Sequence, residues 1–343
     1  MQPVKRALLL IIVPTYNRAG YLRLLLTTLA REIDGFGDRV SVLVSDNASS
    51  DDTPEVTRAF QALVPSARIV RHERNLGPDE NFCSCVEVAD ADHFWIIGDD
   101  DLPRAGAMRQ ILQILEQESP DLLYLQSDWR EAVVDNDPET PLESMRVQLL
   151  ERLEFARRVN VWTTFISGLV VRSDVFVQGA DAAQLRRYNG TNLVQLSWVL
   201  GTLERSRKLL YVPDVCVIAT SGNTGGYAVL KVFGANFPAI VSERFGSGSP
   251  IANAMVTRCA VEFLPGLLWA LRFGNVGKFA RENPAAVLRP QLGRYAVYAL
   301  LVLIGRAPKL LAGGALLACK VAARGFRIAD RLRGLFKRSA PTA

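Results

Sequence analysis

The sequence predicts an α/β protein: a mainly parallel sheet with helices on both faces, followed by a helical, amphipathic C-terminal extension. Three observations predict it. From residue 8 to 126, short apolar runs alternate with segments carrying Leu at helical spacing, the pattern of strand–helix units that feed a parallel sheet. Each of the first four apolar runs is followed by a polar cluster, in turn PTYNR, SDNASSDD, ERNLG and GDDD. Beyond residue 250 apolar helical stretches dominate, and they run into GFRIADRLRGLFKR, a cationic amphipathic pattern.

Leu8–Val13 is apolar throughout, as expected of a strand covered on both faces. A basic start precedes it, but Pro14 and polar residues follow with no small-residue cleavage site. A buried first strand is therefore expected rather than a signal peptide. Ala19–Glu32 reads as a helix, Val40–Ser45 as the second strand, and Thr53–Leu63 as a helix with Asp51 or Asp52 as N-cap. Arg68–His72 continues the sheet, and RNLGPDEN leads into a helix around 80–89. His93–Ile97 is the fourth strand, Ala105–Glu118 a helix that Pro103 introduces, and Asp121–Gln126 the fifth strand. Residues 128–160 read as a polar connection and then a helix, Thr164–Arg172 as a strand, Asn192–Arg205 as a helix, and Leu210–Ala219 as a strand. Tyr295–Ile304 and the LLAGGALLACKVAA run after GRAPK each fall short of the roughly 20 residues that span a bilayer. Together they fit either a hairpin lying in an interface or a C-terminal bundle packed on the body. The expected division is 1–225 for the α/β domain, with parts 1–126 and 127–225, and 226–343 for the helical region.

A chain of 343 residues can bury a sizeable core. Its charge is uneven. Residues 272–338 hold 14 Lys and Arg against two acids, Glu282 and Asp330, a balance of +12, which leaves −7 on the rest of a chain whose total is +5. An acidic body with a basic tail argues against nucleic acid as a partner and for an anionic membrane surface. The five cysteines, Cys83, Cys85, Cys216, Cys259 and Cys319, are scattered and odd in number. They read as buried free thiols in a reducing cytosol.

In a parallel sheet of this kind ligands lie outside the carboxyl ends of the strands, where all four polar clusters fall. Three adjacent carboxylates, Asp99, Asp100 and Asp101, need a cation or a set of donors. Mg²⁺ or Mn²⁺ typically takes one or two carboxylates together with substrate phosphates. In an extended segment Asp99 and Asp101 would share one side and Asp100 the other.

Taken together, VPTYNRAGYL, VSDNASSDDT, RNLGPDENF and IIGDDDLP resemble, in order and spacing, the family 2 glycosyltransferases of GT-A fold, and among them the O-antigen and capsule abequosyltransferase-like group. The resemblance covers residues 7–125 well and 160–220 loosely. It implies that 1–126 binds a nucleotide sugar and 127–225 an acceptor. By the same resemblance Pro14, Thr15 and Tyr16, with Asn17 after them, form the loop against the nucleobase. Asp46 accepts a hydrogen bond from base or ribose, and Asn75 and Gly77 close over the nucleoside. The triple Asp stands at the DxD position, with Asp101 as metal ligand and Asp99 or Asp100 on ribose or metal. The cofactor implied is Mn²⁺ or Mg²⁺. The reaction implied is displacement of a nucleoside diphosphate by an acceptor hydroxyl, with inversion. The acceptor is a saccharide or a polyprenyl-diphosphate-linked saccharide in cell-surface polysaccharide biosynthesis. The enzyme is expected at the cytoplasmic, inner face of the bacterial plasma membrane, held peripherally by its basic tail.

The family generally supplies its base from an acidic pair some 90 residues past the metal motif. Here NGTNLVQLSW, residues 189–198, has no acid, and Gln195 cannot accept the proton. Asp174 and Asp181 stand nearby in sequence, and Asp181 is the candidate base. The missing acid keeps open a non-catalytic binding protein on the same fold. A nucleotidyltransferase is a further alternative, though PTYNR lacks the Gly-rich, basic signature of that class. His72 and His93 read as structural. Trp162 and Trp198 offer either acceptor stacking or core packing, and Arg186 and Arg187 either a lipid-diphosphate contact or a solvated turn.

Overall fold

In this computed structural model the described residues are 6–131, 140–221, 226–274, 279–280 and 282–338, with the side chains of 331 and 334–338 left aside. Contacts divide the chain into two units, Met1–Asn223 and Thr224–Ala343.

In the first unit the apolar runs become strands: β1 (Leu9–Thr15), β2 (Val40–Asp46), β3 (Arg68–Arg71) and β4 (His93–Ile96). Every residue of β1 is buried, and β1 pairs in parallel with β2 on one side and β4 on the other. The helices between them are α1 (Ala19–Ile33), α2 (Thr53–Leu63) and α3 (Pro78–Glu87). After β4 come β5 (Leu102–Pro103), α4 (Ala107–Glu118), β6 (Leu122–Arg130), β7 (Gln148–Leu150), α5 (Arg152–Val159), β8 (Leu169–Arg172), α6 (Ala182–Leu185), α7 (Leu196–Arg205) and β9 (Leu209–Thr220). Among the described residues one sheet runs β3-β2-β1-β4-β8-β6-β9-β5, with β7 also on β9.

The sheet is parallel over β3, β2, β1 and β4 and mixed beyond. β8 lies antiparallel between β4 and β6, and β5 and β7 pair antiparallel with β9. Local differences from the sequence expectation have local causes. Pro103 sits in β5, and α4 begins only after Gly106 at φ 77°, where a Cβ would stand 2.8 Å from the Leu142 carbonyl. The strand expected over 164–172 starts at Leu169. Before it, Thr163 and Thr164 hydroxyls donate to the carbonyls of Asn160 and Val161, both at 2.7 Å, and hold 3₁₀ turns. The helix expected from Asn192 starts at Leu196, because Asn192 adopts φ 58° and its amide donates to Asp79. Part of the polar connection expected after residue 128 lies outside the described residues.

The second unit is helical: residues 229–245, then Pro250–Phe273, Pro284–Leu292, Val297–Arg306 and Lys309–Arg338. Its core includes Phe237, Met255, Leu264, Leu288, Leu301 and Ile304. Buried Arg258 donates to Asp330 at 2.5 Å and to Glu262 at 2.7 Å. The last helix docks by a seam of small residues, Ala312, Ala315, Cys319 and Ala323, all buried. Its opposite side exposes Leu310, Leu317, Val321, Ile328 and Leu332. Among the described residues one helix, Pro250–Phe273, is long and apolar enough to cross a membrane, and half of it is buried in protein.

Candidate functional site

The four polar loops are bonded to one another at the carboxyl edge of β1–β4. The first turns at Asn17, φ 52°, whose amide donates to Ser49 Oγ at 2.8 Å and whose Oδ1 accepts from the Ser50 amide at 2.7 Å. Asp51 joins the same two loops. Its Oδ2 accepts from the Ala19 amide, starting α1, and its Oδ1 accepts from Thr53, starting α2. Of the two acids expected as N-cap, Asp52 holds that position in α2 without a side-chain cap bond, and Asp51 before it supplies the acceptor at both helix starts. Asn47 extends the network to the third loop. Its Nδ2 donates to Asn75 Oδ1 at 2.9 Å and to the Gly77 carbonyl at 3.2 Å, while its Oδ1 accepts from the Leu76 amide. Gly77 stands at φ 83°, which a side chain would strain, and leads into α3.

Around this frame sit the residues expected to touch a nucleoside. Pro14 and Thr15 are buried and Tyr16 is 43 % exposed. Asp46 is 1 % exposed; its Oδ1 accepts from the Ser49 amide, and Arg71 Nε lies 3.3 Å from its Oδ2.

The fourth loop is not extended. The Asp101 amide donates to the Gly98 carbonyl, so residues 98–101 form a turn. Asp99 and Asp100 consequently share a partner, and Asp101 turns away from it. Arg18 reaches both Asp99 Oδ1, at 3.0 Å, and Asp100 Oδ2, at 3.1 Å, and the Thr15 hydroxyl donates to Asp99 Oδ2 at 2.7 Å. Asp101 takes the Ser167 hydroxyl at 2.5 Å and the Thr220 amide at 3.1 Å. Gly98 has to be small here: a Cβ would lie 3.0 Å from Asp100 Oδ1 and 3.1 Å from Asp101 Oδ2.

Burial pushes the Asp99 carboxyl up to about 6, against the pull of Arg18, and the Asp101 carboxyl up to about 7, with Asp100 adding repulsion. Both are acids short of positive charge. Among the described residues no three His, Cys, Asp or Glu side chains converge as a ready-made cage. An ion held here would complete its shell from phosphate and water. Asp99 and Asp101 fit such an ion chemically: hard oxygen donors, buried, and underneutralised.

The other sequence candidates are placed as follows. Asp181 caps α6: its Oδ1 accepts from the Gln184 amide at 2.7 Å, in a capping box. Asp174 pairs with Arg172 at 2.8 Å. Gln195 is buried, and its Nε2 donates to the Thr164 carbonyl at 2.8 Å. His72 lies within 3.1 Å of Asn81 Oδ1, and His93 bonds the Pro120 carbonyl at 3.0 Å, which fits structural roles for both. Arg186 is bound to Glu80 and Glu87. Trp198 is 1 % exposed and packs in the core, whereas Trp162 borders an aromatic group with Trp129 and Phe165. The five cysteines are free and buried.

Sequence reasoning missed Arg18, Ser167 and Thr220 as partners of the acids. A lone cation in the first of four convergent loops was a signal for Arg18. Ser167 arrives from the 3₁₀ turn before β8 and Thr220 from the end of β9, and nothing local announces where either comes to lie.

The family described as Glycosyl transferase family 2 matches residues 10–176. Abequosyltransferase RfbV of Salmonella typhimurium is 39 % identical over 90 residues, 26 % of this chain and 27 % of that protein. Minor teichoic acid biosynthesis protein GgaA of Bacillus subtilis is 29 % identical over 68 residues, 20 % of this chain and 15 % of that protein. The matches thus span about a quarter of the first relative's length and less of the second's. S. aureus TarS 1-349 in complex with UDP-GlcNAc superposes with a TM-score of 0.57 at 13 % identity, covering 94 % of this chain and 92 % of that one. Mannosyltransferase PcManGT from Pyrobaculum calidifontis, in complex with GDP-Man and Mn²⁺, superposes with a TM-score of 0.53 at 17 % identity, covering 98 % and 89 %. At such identities the likeness is one of fold. With its bonded loops and acidic turn at the strand ends, residues 10–176 are a family 2 glycosyltransferase domain on a GT-A fold.

Proposed function

We propose that this chain transfers a sugar from a nucleoside diphosphate sugar to a hydroxyl of a saccharide acceptor in cell-surface polysaccharide biosynthesis. One observation carries the reading: two buried, underneutralised carboxylates, Asp99 and Asp101, stand where four interlocked loops meet at the strand ends. The names of the matched relatives, an abequosyltransferase and a teichoic acid biosynthesis protein, support it.

In this reading Tyr16 and Asn17 border the nucleobase, Asp46 accepts from base or ribose, and Asn75 and Gly77 close the nucleoside side. Asp101 holds Mn²⁺ or Mg²⁺, and Asp99, which the turn sets toward Arg18, holds the ribose or assists the metal. When bound, that cation supplies positive charge to the departing diphosphate. Arg18, already on Asp99 and Asp100, adds a fixed cation beside the same charge. Transfer with inversion needs a carboxylate to take the acceptor proton, a contribution of typically 10²–10⁴-fold. Asp181 is the acid proposed for it, its cap using Oδ1. A non-catalytic, donor-binding role is the second reading, favoured by Gln195: at the position where the family keeps an acid, it braces the Thr164 carbonyl.

The C-terminal helix supports a membrane-surface site. Leu310, Leu317, Val321, Ile328 and Leu332 recur at steps of seven, four, seven and four and are exposed on one stripe, with Lys320, Arg324 and Arg327 exposed beside it. An apolar stripe flanked by cations suits the interface of an anionic bilayer. A polyprenyl-diphosphate-linked acceptor at the cytoplasmic face follows, with the enzyme peripheral.

The test is a thermal-shift screen of nucleotide sugars with and without Mn²⁺, because a bound donor stabilises the fold by mass action. A metal-dependent shift with one donor class, followed by release of its nucleoside diphosphate, is expected. No shift with any donor sinks the reading, and a shift without release selects the non-catalytic one.

A further inference from the structure

Trp129 stands at the end of β6 with 43 % of its surface exposed. Exposed indole at a strand end contributes little to a fold, and this one is held in place. The Phe165 ring lies 4.7 Å from it and the Trp162 ring 5.7 Å, both tilted, so three rings from two segments make one ledge. The segment under the ledge is braced. Gln195 donates to the Thr164 carbonyl, between Trp162 and Phe165, and a Cβ at Gly168 would lie 3.0 Å from Phe165 Cδ1. Glycine there lets the Phe165 ring settle against the backbone.

The ledge is tied to the acids from both sides. Two residues past Phe165, Ser167 donates to Asp101. On the other side Trp129 and Arg130 pair in register with Ala219 and Thr220, and the Thr220 amide donates to Asp101 while its hydroxyl donates to the Asp100 carbonyl at 2.5 Å. An exposed aromatic ledge thus begins within two residues of the groups that hold the acidic turn.

We propose that Trp129, backed by Trp162 and Phe165, is the stacking platform for a pyranose ring of the acceptor saccharide. A sugar presents one face of C–H groups and a rim of hydroxyls. A rigid ring lying open beside polar chemistry binds the face and leaves the rim to be positioned. The inference rests on the transferase reading above, since it assigns the acceptor side of the same site.

The test uses the full-length chain and two readouts. Saturation-transfer NMR follows methyl α-D-mannopyranoside, methyl β-D-galactopyranoside and methyl α-L-rhamnopyranoside, reporting on the sugar rather than on the indole. Thermal shift follows UDP and GDP with Mn²⁺. At least one glycoside should bind the wild-type chain saturably. Trp129→Ala should weaken it about tenfold, equivalent to about 1.4 kcal/mol, and Trp129→Phe, which keeps a ring, by about threefold or less. The nucleotide shift should be equal in all three proteins. Glycoside binding that survives Trp129→Ala, or none in the wild type, overturns the platform even where a nucleotide binds. Glycoside binding lost with Trp129 in a chain that binds no nucleotide upholds the platform while the donor reading fails. Self-association that disappears in Trp129→Ala, without glycoside binding, makes the ledge a contact between copies and also overturns it.

Discussion

The Ser167 hydroxyl donates to Asp101 Oδ2 at 2.5 Å and accepts from the Gly98 amide at 2.8 Å, so one buried side chain holds both ends of the acidic turn. Ser167→Ala would leave a buried N–H and a buried carboxylate oxygen each short of a partner. The expected loss is about 1–3 kcal/mol of stability and weaker Mn²⁺ binding. Urea denaturation and a Mn²⁺ titration check both; an unchanged midpoint would show that the turn stands without it.

Asp101→Asn should remove most transfer activity, about 10²–10³-fold by analogy with the loss of one charge-stabilising group. The fold should persist, because Asn still accepts from the Ser167 hydroxyl or the Thr220 amide. Nucleoside diphosphate release at saturating Mn²⁺ measures it. Wild-type turnover in this variant would refute the metal assignment.

Stability should carry the mark of the same carboxyls. Asp99 and Asp101 titrate near about 6 and about 7 in the folded chain, against an ordinary 3.8. A raised acid favours the fold most when protonated, below 3.8, and that contribution is lost as pH rises through 6 and 7. In chelator, Asp101→Asn should therefore gain melting temperature relative to wild type between pH 5 and pH 8. Differential scanning calorimetry of the pair reads this directly, and a difference independent of pH contradicts the burial argument.

Asp51→Ala withdraws the acceptor from two helix starts together, at Ala19 and at Thr53. A single cap typically contributes about 1 kcal/mol, and more is expected here. Donor affinity should fall as well, because Asn17 and Ser50 lose the frame that aligns them. Chemical denaturation and donor thermal shift test the two effects; a cost below one cap would mean the loops hold each other without Asp51.

Glu at Leu310, Leu317 and Val321, introduced together, should abolish sedimentation with anionic vesicles while leaving the melting temperature near wild type, since all three face outward. Deleting the chain beyond residue 290 is a poorer test, because it removes Leu301 and Ile304, which are fully buried. Unchanged pelleting of the triple variant would exclude the stripe as a membrane contact.

What could be read in the sequence was whatever short-range chemistry decides. Thr53–Leu63 was legible to the residue because an acid, a threonine and a proline mark its start. The apolar run at β1 was legible to within two residues because a strand buried on both faces is nearly continuously apolar. The edge on which the loops meet followed from the alternation alone. The turn at 98–101 did not, since the groups that hold its Asp101 carboxylate, Ser167 and Thr220, stand 66 and 119 residues along the chain. For the same reason Trp162 and Trp198 could not be told apart: tertiary packing alone puts Trp198 in the core and Trp162 beside the exposed ring of Trp129.

Arg18 gives the acidic turn an on-board counter-ion. Because its guanidinium already spans Asp99 and Asp100, the proposed metal site should fold before it captures any cation, manganese included. Starving a cell of that element should idle the catalyst yet spare its abundance, and returning it should restore output without new synthesis.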